Sequence, residues 1–256
     1  MSATRRVRLP LIGEDVEVDV PLPRGEVNVI GVLPAASVVS RAVMTHSVAK
    51  LPEGQNVSCK AGCDACCRHL VMVSVVEARA MRVAIERLPL TARKRVKAKF
   101  NEVLERLERA GFLGPRSESV SRRAFFFKHT KTDPNERWFD FNRAYVALQV
   151  SCPFLEDARC IIYADRPFVC REFLVMSDPV HCNTLDEHVV PVPRPLGTSE
   201  SLNQLASEIE GETYKALPLA LALEWLEHNP PPDVLTPGEE LLDQWWDAFE
   251  SHWVET

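Results

Sequence analysis

Glycine is scarce in this 256-residue chain, with ten scattered residues. No GxGxxG or GxxxxGK(S/T) run occurs, which excludes a dinucleotide fingerprint and a P-loop. A GxSxG nucleophile elbow and an HExxH helix are missing too, so the signatures of α/β-hydrolases and zinc proteases are absent. No charge of one sign dominates. The net charge is −6 with acidic and basic residues interspersed, which gives nucleic-acid binding no electrostatic support. No apolar run approaches the ~18–20 residues of a membrane span. The N-terminus, Met1 to Val20, carries arginines but no apolar stretch before a cleavage site, so it does not read as a secretory signal. The expectation is a cytoplasmic protein with no nucleic-acid or membrane partner, in a compartment where thiols stay reduced.

What the chain does have is cysteine, eight in all. An even number permits four disulfides, but disulfide frameworks belong mainly to small secreted domains without a core. Lone buried thiols often act as small core residues. Clustering speaks against that use here, since Cys59, Cys63, Cys66 and Cys67 fall within nine residues.

Around the cysteines the pattern is mainly α-helical, with a short N-terminal β-hairpin. Val7, Leu9 and Leu11 alternate before a turn at Gly13-Glu14-Asp15, and Val16, Val18 and Val20 alternate after it. Pro10 marks the first strand as an edge. A helix is expected over Ala35 to Lys50. Ser74 and Glu77 form a capping box that opens a helix running to about Leu88. A second helix is expected with Thr91 as its N-cap. Val96, Phe100, Val103, Leu104 and Leu107 form its apolar stripe, and Gly111 and Gly114 end it. The run Arg93, Lys94, Arg95, Lys97 and Lys99 reads as a solvated face. Phe125, Phe126 and Phe127 are expected to reach back into the core, and a short helix is expected from Phe141 to Val150.

Pro191, Pro193 and Pro195 indicate an extended stretch. Ser199 to Glu227 reads as one long helix, kinked at Pro218, and Pro237 to Trp253 as a last amphipathic helix. Trp245, Trp246, Phe249 and Trp253 on that helix suit core packing or a protein partner. Three segments follow: 1–54 with hairpin and helix, 55–185 with a cysteine-cluster metal-binding domain, and 186–256 as a helical extension packing on it.

In Cys59-Lys-Ala-Gly-Cys63-Asp-Ala-Cys66-Cys67, gaps of three and two residues let successive thiolates turn back onto one centre, and Gly62 lets the chain bend tightly. Gathered thiols suit zinc, ferrous iron or an iron–sulphur cluster. Cys66 and Cys67 are adjacent, and neighbouring side chains on an extended backbone point to opposite faces. The pair therefore suggests a multinuclear cluster, two neighbouring sites, or one ligand beside a free thiol. Cys152, Cys160, Cys170 and Cys182 are too widely spaced to be informative one by one. His69 and His181 are further nitrogen candidates, though lone histidines are ordinarily just polar residues.

The block Cys59 to Arg68 resembles the CxxCxxCC family of zinc- or iron-chelating proteins, also called YkgJ-type. So does the later block Cys152-Pro153-Phe154-Leu155, with Cys160, Ile162, Tyr163, Arg166-Pro167, Cys170-Arg171 and Phe173 following it. The blocks occur in the family's order, with Glu77 between them, over about residues 55–175. One departure is the three-residue gap between Cys59 and Cys63, where the family name implies two.

The resemblance implies metal ligands at Cys59, Cys63, Cys66, Cys67, Cys152, Cys160 and Cys170, and basic residues Arg166 and Arg171 beside the site. These arginines offset thiolate charge, bind an anionic ligand, or form structural ion pairs. Tyr163 either hydrogen-bonds a thiolate or packs. The family looks related to flagellin lysine N-methylases, so the alternative function is methyl transfer to protein lysine from S-adenosylmethionine, although no methyl-donor motif is recognisable. Cys59-x3-Cys63-x2-Cys66 also has the spacing of the radical S-adenosylmethionine cluster motif. Those enzymes look like partial α/β barrels, and no alternating strand–helix series follows here.

Overall fold

A computed structural model describes residues 3–11, 13–114, 136–194 and 197–252, with the backbone alone at 136–140. The expected packing of Phe125 to Phe127 lies outside these residues. Strands β1 (Thr4–Leu11) and β2 (Glu14–Pro21) form the hairpin, in a register that pairs Val7 with Val18 and Leu9 with Val16. Val7, Leu9 and Leu11 turn inward while the residues between them face solvent, as the alternation requires.

The first helix, α1 (Leu33–Ala49), packs against β2 and buries Ala35, Ala36, Val39, Val43 and Met44. Together with the preceding turn it corrects one expectation. Val29–Ala49 is long and apolar enough to cross a membrane, with mean hydropathy 1.4. Arg41 and His46 interrupt the run and hide it from a scan for unbroken apolar residues. Core helices pass the same test, and here the apolar side of α1 lies in the interior.

Helix α2 (Val75–Arg87) has the expected capping box. The Ser74 hydroxyl accepts from the Glu77 amide at 3.1 Å, and Glu77 accepts from the Ser74 amide at 2.8 Å. Helix α3 (Leu90–Arg109) buries the five residues of its expected stripe. Thr91 is not its cap, because Pro89 takes that position without a side-chain bond. Proline fixes the backbone for helix entry and loses no amide bond there. On the exposed face of α3, Arg95 and Lys99 pair with Glu156. Helix α4 (Glu136–Ala147) ends before Gln149, which is left-handed at φ 49°.

The expected long helix over Ser199 to Glu227 is wrong. It is two helices, α6 (Thr198–Glu210) and α7 (Ala222–His228). Gly211 caps α6 in the left-handed conformation. The chain between them runs extended as β7 (Leu217–Pro218), antiparallel to β4 (Met72–Val73) just before α2. That pairing is a tertiary contact with no local signal.

Helix α8 (Gly238–Ser251) packs on α6, and the Trp245 indole donates to the Ser201 hydroxyl at 3.2 Å. Gly238 begins α8 because a Cβ there would lie 2.1 Å from the Pro23 carbonyl oxygen. One apolar core joins Leu9, Val39, Met81, Leu205 and Trp245, so it runs through all three sequence segments. Inside it, Arg79 of α2 is bonded twice to Glu210 of α6, at 2.5 and 2.9 Å, with both side chains almost wholly buried.

Candidate metal centre

Two buried carboxylates fix the frame around the cysteines. Glu77 accepts a bond from the Phe168 amide at 2.8 Å, which docks the start of α5 (Phe168–Glu172) onto the start of α2. Glu172 accepts from Ser40 at 2.8 Å, from Thr198 at 2.7 Å and from Arg194 at 2.9 Å. It thereby holds α5 between α1 and α6. Cys170 rides on this short, doubly anchored helix.

The first cysteine block is irregular. Cys59 and Cys63 lie in a loop whose turn at Gly62 has φ 84°, a conformation open to glycine at little cost. Cys66 and Cys67 lie on the 3-10 turn Ala65–Arg68. Its amides are used locally, with Cys67 donating to the Asp64 carbonyl at 2.9 Å and His69 to that of Cys66 at 3.0 Å. On this tight turn the adjacent thiols do not diverge as they do on an extended strand. Cys67 hydrogen-bonds the Cys66 sulphur.

The second block reaches the first through its backbone. The Cys152 amide donates to the Cys67 carbonyl at 2.7 Å. Beyond it, β5 (Leu155–Glu156) and β6 (Arg159–Cys160) form a two-residue hairpin through Asp157 and Ala158, both left-handed, and set Cys160 opposite Leu155. On the other side, the Val175 amide points at the Cys59 sulphur at 3.4 Å, while the Ser58 amide donates to the Val175 carbonyl at 2.9 Å.

All eight cysteines are free thiols. They form two neighbourhoods that share Cys66. Cys182 interacts electrostatically with Cys66, Cys59 and Cys63, and packs with Cys59 and Cys63 around Ala65 and Val175. Cys170 interacts with Cys152, Cys66 and Cys160, and Cys67 with Cys66, Cys152 and Cys170. The sequence left Cys182 undecided because of its wide spacing. The structure brings it to the first block, and no signal in the spacing foretold that. His69, the other uncertain candidate, spends its Nε2 on the Cys182 carbonyl at 2.6 Å.

Burial pushes the Cys152 thiol up to about 12, and burial with the neighbouring thiols does the same to Cys182. Cys59, Cys160 and Cys170 are also raised, chiefly by burial. Cys66 moves the other way, below the ordinary thiol range, because the Cys67 thiol donates to its sulphur. Most of the set therefore stays protonated until something replaces the protons, as a metal ion does when it takes thiolates. Soft, free sulphur donors drawn from both blocks suit zinc or iron, although among the described residues no three of the sulphurs lie within 4.8 Å of one another.

Arg166 lies close enough to lower the pKa of Cys59, Cys66 and Cys160. Its guanidinium stacks 4.1 Å from the centroid of the exposed Tyr163 ring, so Tyr163 packs on Arg166. Arg171 donates to the carbonyls of Arg166 at 2.7 Å and Ala164 at 2.6 Å. Among the described residues neither arginine forms a salt bridge. Both border a cavity of about 340 Å³ that also reaches Glu77 and Arg87.

A family model, CxxCxxCC, described as "Putative zinc- or iron-chelating domain", matches residues 58–189, about half of the chain. No curated protein and no solved structure matches.

Proposed function

The chain belongs to the CxxCxxCC family of zinc- or iron-chelating domains, and from that membership we propose that it binds metal through two adjoining thiol groups. Cys59, Cys63, Cys66 and Cys182 make up one. Cys67, Cys152, Cys160 and Cys170 make up the other, with Cys66 at the junction. The backbone bond by which Cys152 of the second block docks on Cys67 of the turn Ala65–Arg68 carries this reading. Arg166 offsets the negative charge that several thiolates would build up.

Handling of the metal fits better than a purely structural role. Seven of the eight cysteines keep some solvent exposure, which leaves their sulphurs within reach of an exchanging ligand or partner. The large apolar core also gives the rest of the chain its own support. No observation on the described residues favours methyl transfer over chelation.

The test is anaerobic purification followed by metal and sulphide analysis of the wild type and of single Cys→Ser variants. Cys160→Ser and Cys170→Ser are expected to lose metal as fully as Cys63→Ser, and Cys182→Ser to lose it as well. Full retention in the Cys160 and Cys170 variants would refute the shared centre. Zinc without colour, iron without sulphide, and iron with equimolar sulphide separate the three forms the metal can take.

A further inference from the structure

Next to the thiols lies a second set of metal-ligating side chains that uses none of their sulphurs. After the turn Pro179–Asn183 the chain doubles back through Leu185, left-handed at φ 51°. This brings Asp186 between His181 and His188. His181 Nδ1 is 3.1 Å from the Asp186 carboxylate, and His188 Nδ1 is 3.2 Å from its Oδ1. One ligating atom from each of the three lies within 4.8 Å of the other two. The imidazole centroids are 5.0 Å apart, with the rings inclined by 32°.

Two ordinary histidine–aspartate contacts are the plain alternative. Three features favour a ligand. Both imidazoles aim the same nitrogen at one carboxylate. Among the described residues, no lysine or arginine forms a salt bridge with Asp186. The backbone on either side of the three residues is also held from outside the loop. Gln149 donates to the Asn183 carbonyl at 3.1 Å, His69 contacts that of Cys182 at 2.6 Å, and the Met176 amide donates to that of Val190 at 2.8 Å. The loop ends are thus fixed to the cysteine region while His188 stays exposed.

We propose that His181, Asp186 and His188 form a separate, solvent-facing site for a divalent transition-metal ion, held by two imidazole nitrogens and one carboxylate oxygen. Nitrogen and oxygen donors suit zinc or ferrous iron. Three protein ligands leave positions open to water or to an exchanging ligand, the pattern of a site where metal reacts or moves rather than one that is closed. His181 directly precedes Cys182, so the open site adjoins the thiol set in sequence and in space. The inference stands independently of the thiol reading, because it uses different donor atoms.

The test is anaerobic equilibrium dialysis of the full-length protein against cobalt(II), read together with its near-ultraviolet spectrum. Sulphur ligation gives intense thiolate-to-cobalt charge-transfer bands, and nitrogen–oxygen ligation does not. His188→Ala is expected to weaken one class of cobalt binding at least tenfold. His188→Ala combined with Asp186→Asn is expected to remove one equivalent, with the charge-transfer bands unchanged. His188 is exposed, so these variants should keep the wild-type circular dichroism. Unchanged stoichiometry in the double variant would overturn the proposal. So would loss of the charge-transfer bands along with the equivalent, since the residues would then belong to the thiol centre. A wild type without such bands that still binds the histidine-dependent equivalent would sink the thiol reading and leave this one standing.

Discussion

Trp245 and Cys182 are both almost wholly buried, but their surroundings differ in kind. Trp245 sits among Leu202, Leu205, Leu241 and Phe249, in a core fed by seven helices and a hairpin. Around Cys182 the buried apolar residues are Ala65 and Val175, and the rest of the cluster is half-buried thiols, Phe173 and Val189. At about 25 cal/mol per Å² of buried apolar surface, the first region has ample means to hold itself together and the second has little. On the proposed reading, coordination adds to the small Cys182 cluster what packing does not, and the molecule divides into a self-supporting helical body and a lobe that the metal helps to hold.

Three experiments test that division. The largest effect is expected from Trp245→Ala, which opens a cavity at a fully buried position and should cost about 3–5 kcal/mol in denaturant unfolding. Metal content per folded molecule should not change, and loss of metal in the native baseline would show that the two regions are one. Stripping the metal with a chelator comes next. Loss of a ligand held at 100 times its Kd removes about 2.7 kcal/mol. Hydrogen exchange at the amides of Ser58, Cys152 and Val175 should therefore speed up on the order of a hundredfold, while α6 and α8 keep their protection. Equal loss of protection in both places would erase the contrast.

The smallest effect is local to one sulphur. In metal-free protein, iodoacetamide should modify Cys66 first, with its rate at half maximum at a pH below that of an ordinary thiol. The Cys67 thiol donates to the Cys66 thiolate and so favours the charged form. Cys67→Ala should then move that half-point upward, and a half-point that stays in place would mean the bond does not set the reactivity.

Much of the helical body was legible in the sequence. The hairpin alternation, the Ser74–Glu77 capping box and the stripe from Val96 to Leu107 are local periodicities, and each appears where its residues place it. The break between α6 and α7 was not legible, because Leu217–Pro218 is extended by pairing with Met72–Val73, far away in the chain. The cysteine centre was half legible. Close spacing announced Cys59 to Cys67, and the adjacency of Cys66 and Cys67 argued against a single four-thiolate ion. The tight turn that lets those two sulphurs meet leaves no mark in the spacing, since adjacent side chains diverge on an extended backbone but not on a 3-10 turn. Cys182 joins through tertiary packing alone. Asp186 and His188 did leave a trace in the short spacing His181-x4-Asp186-x-His188, which a search for histidine paired with carboxylate would have caught.

The bond from the Cys152 amide to the Cys67 carbonyl joins residues that are made at different times. Synthesis proceeds at about 5–20 residues per second, so the first four thiols leave the ribosome on the order of ten seconds ahead of Cys152. During that interval the nascent chain presents Cys59, Cys63, Cys66 and Cys67 without the sulphurs that later face them. An ion taken up then is held by one block, and the remainder of the chain closes over it as it emerges. Translation order thus sets the order in which the thiols arrive.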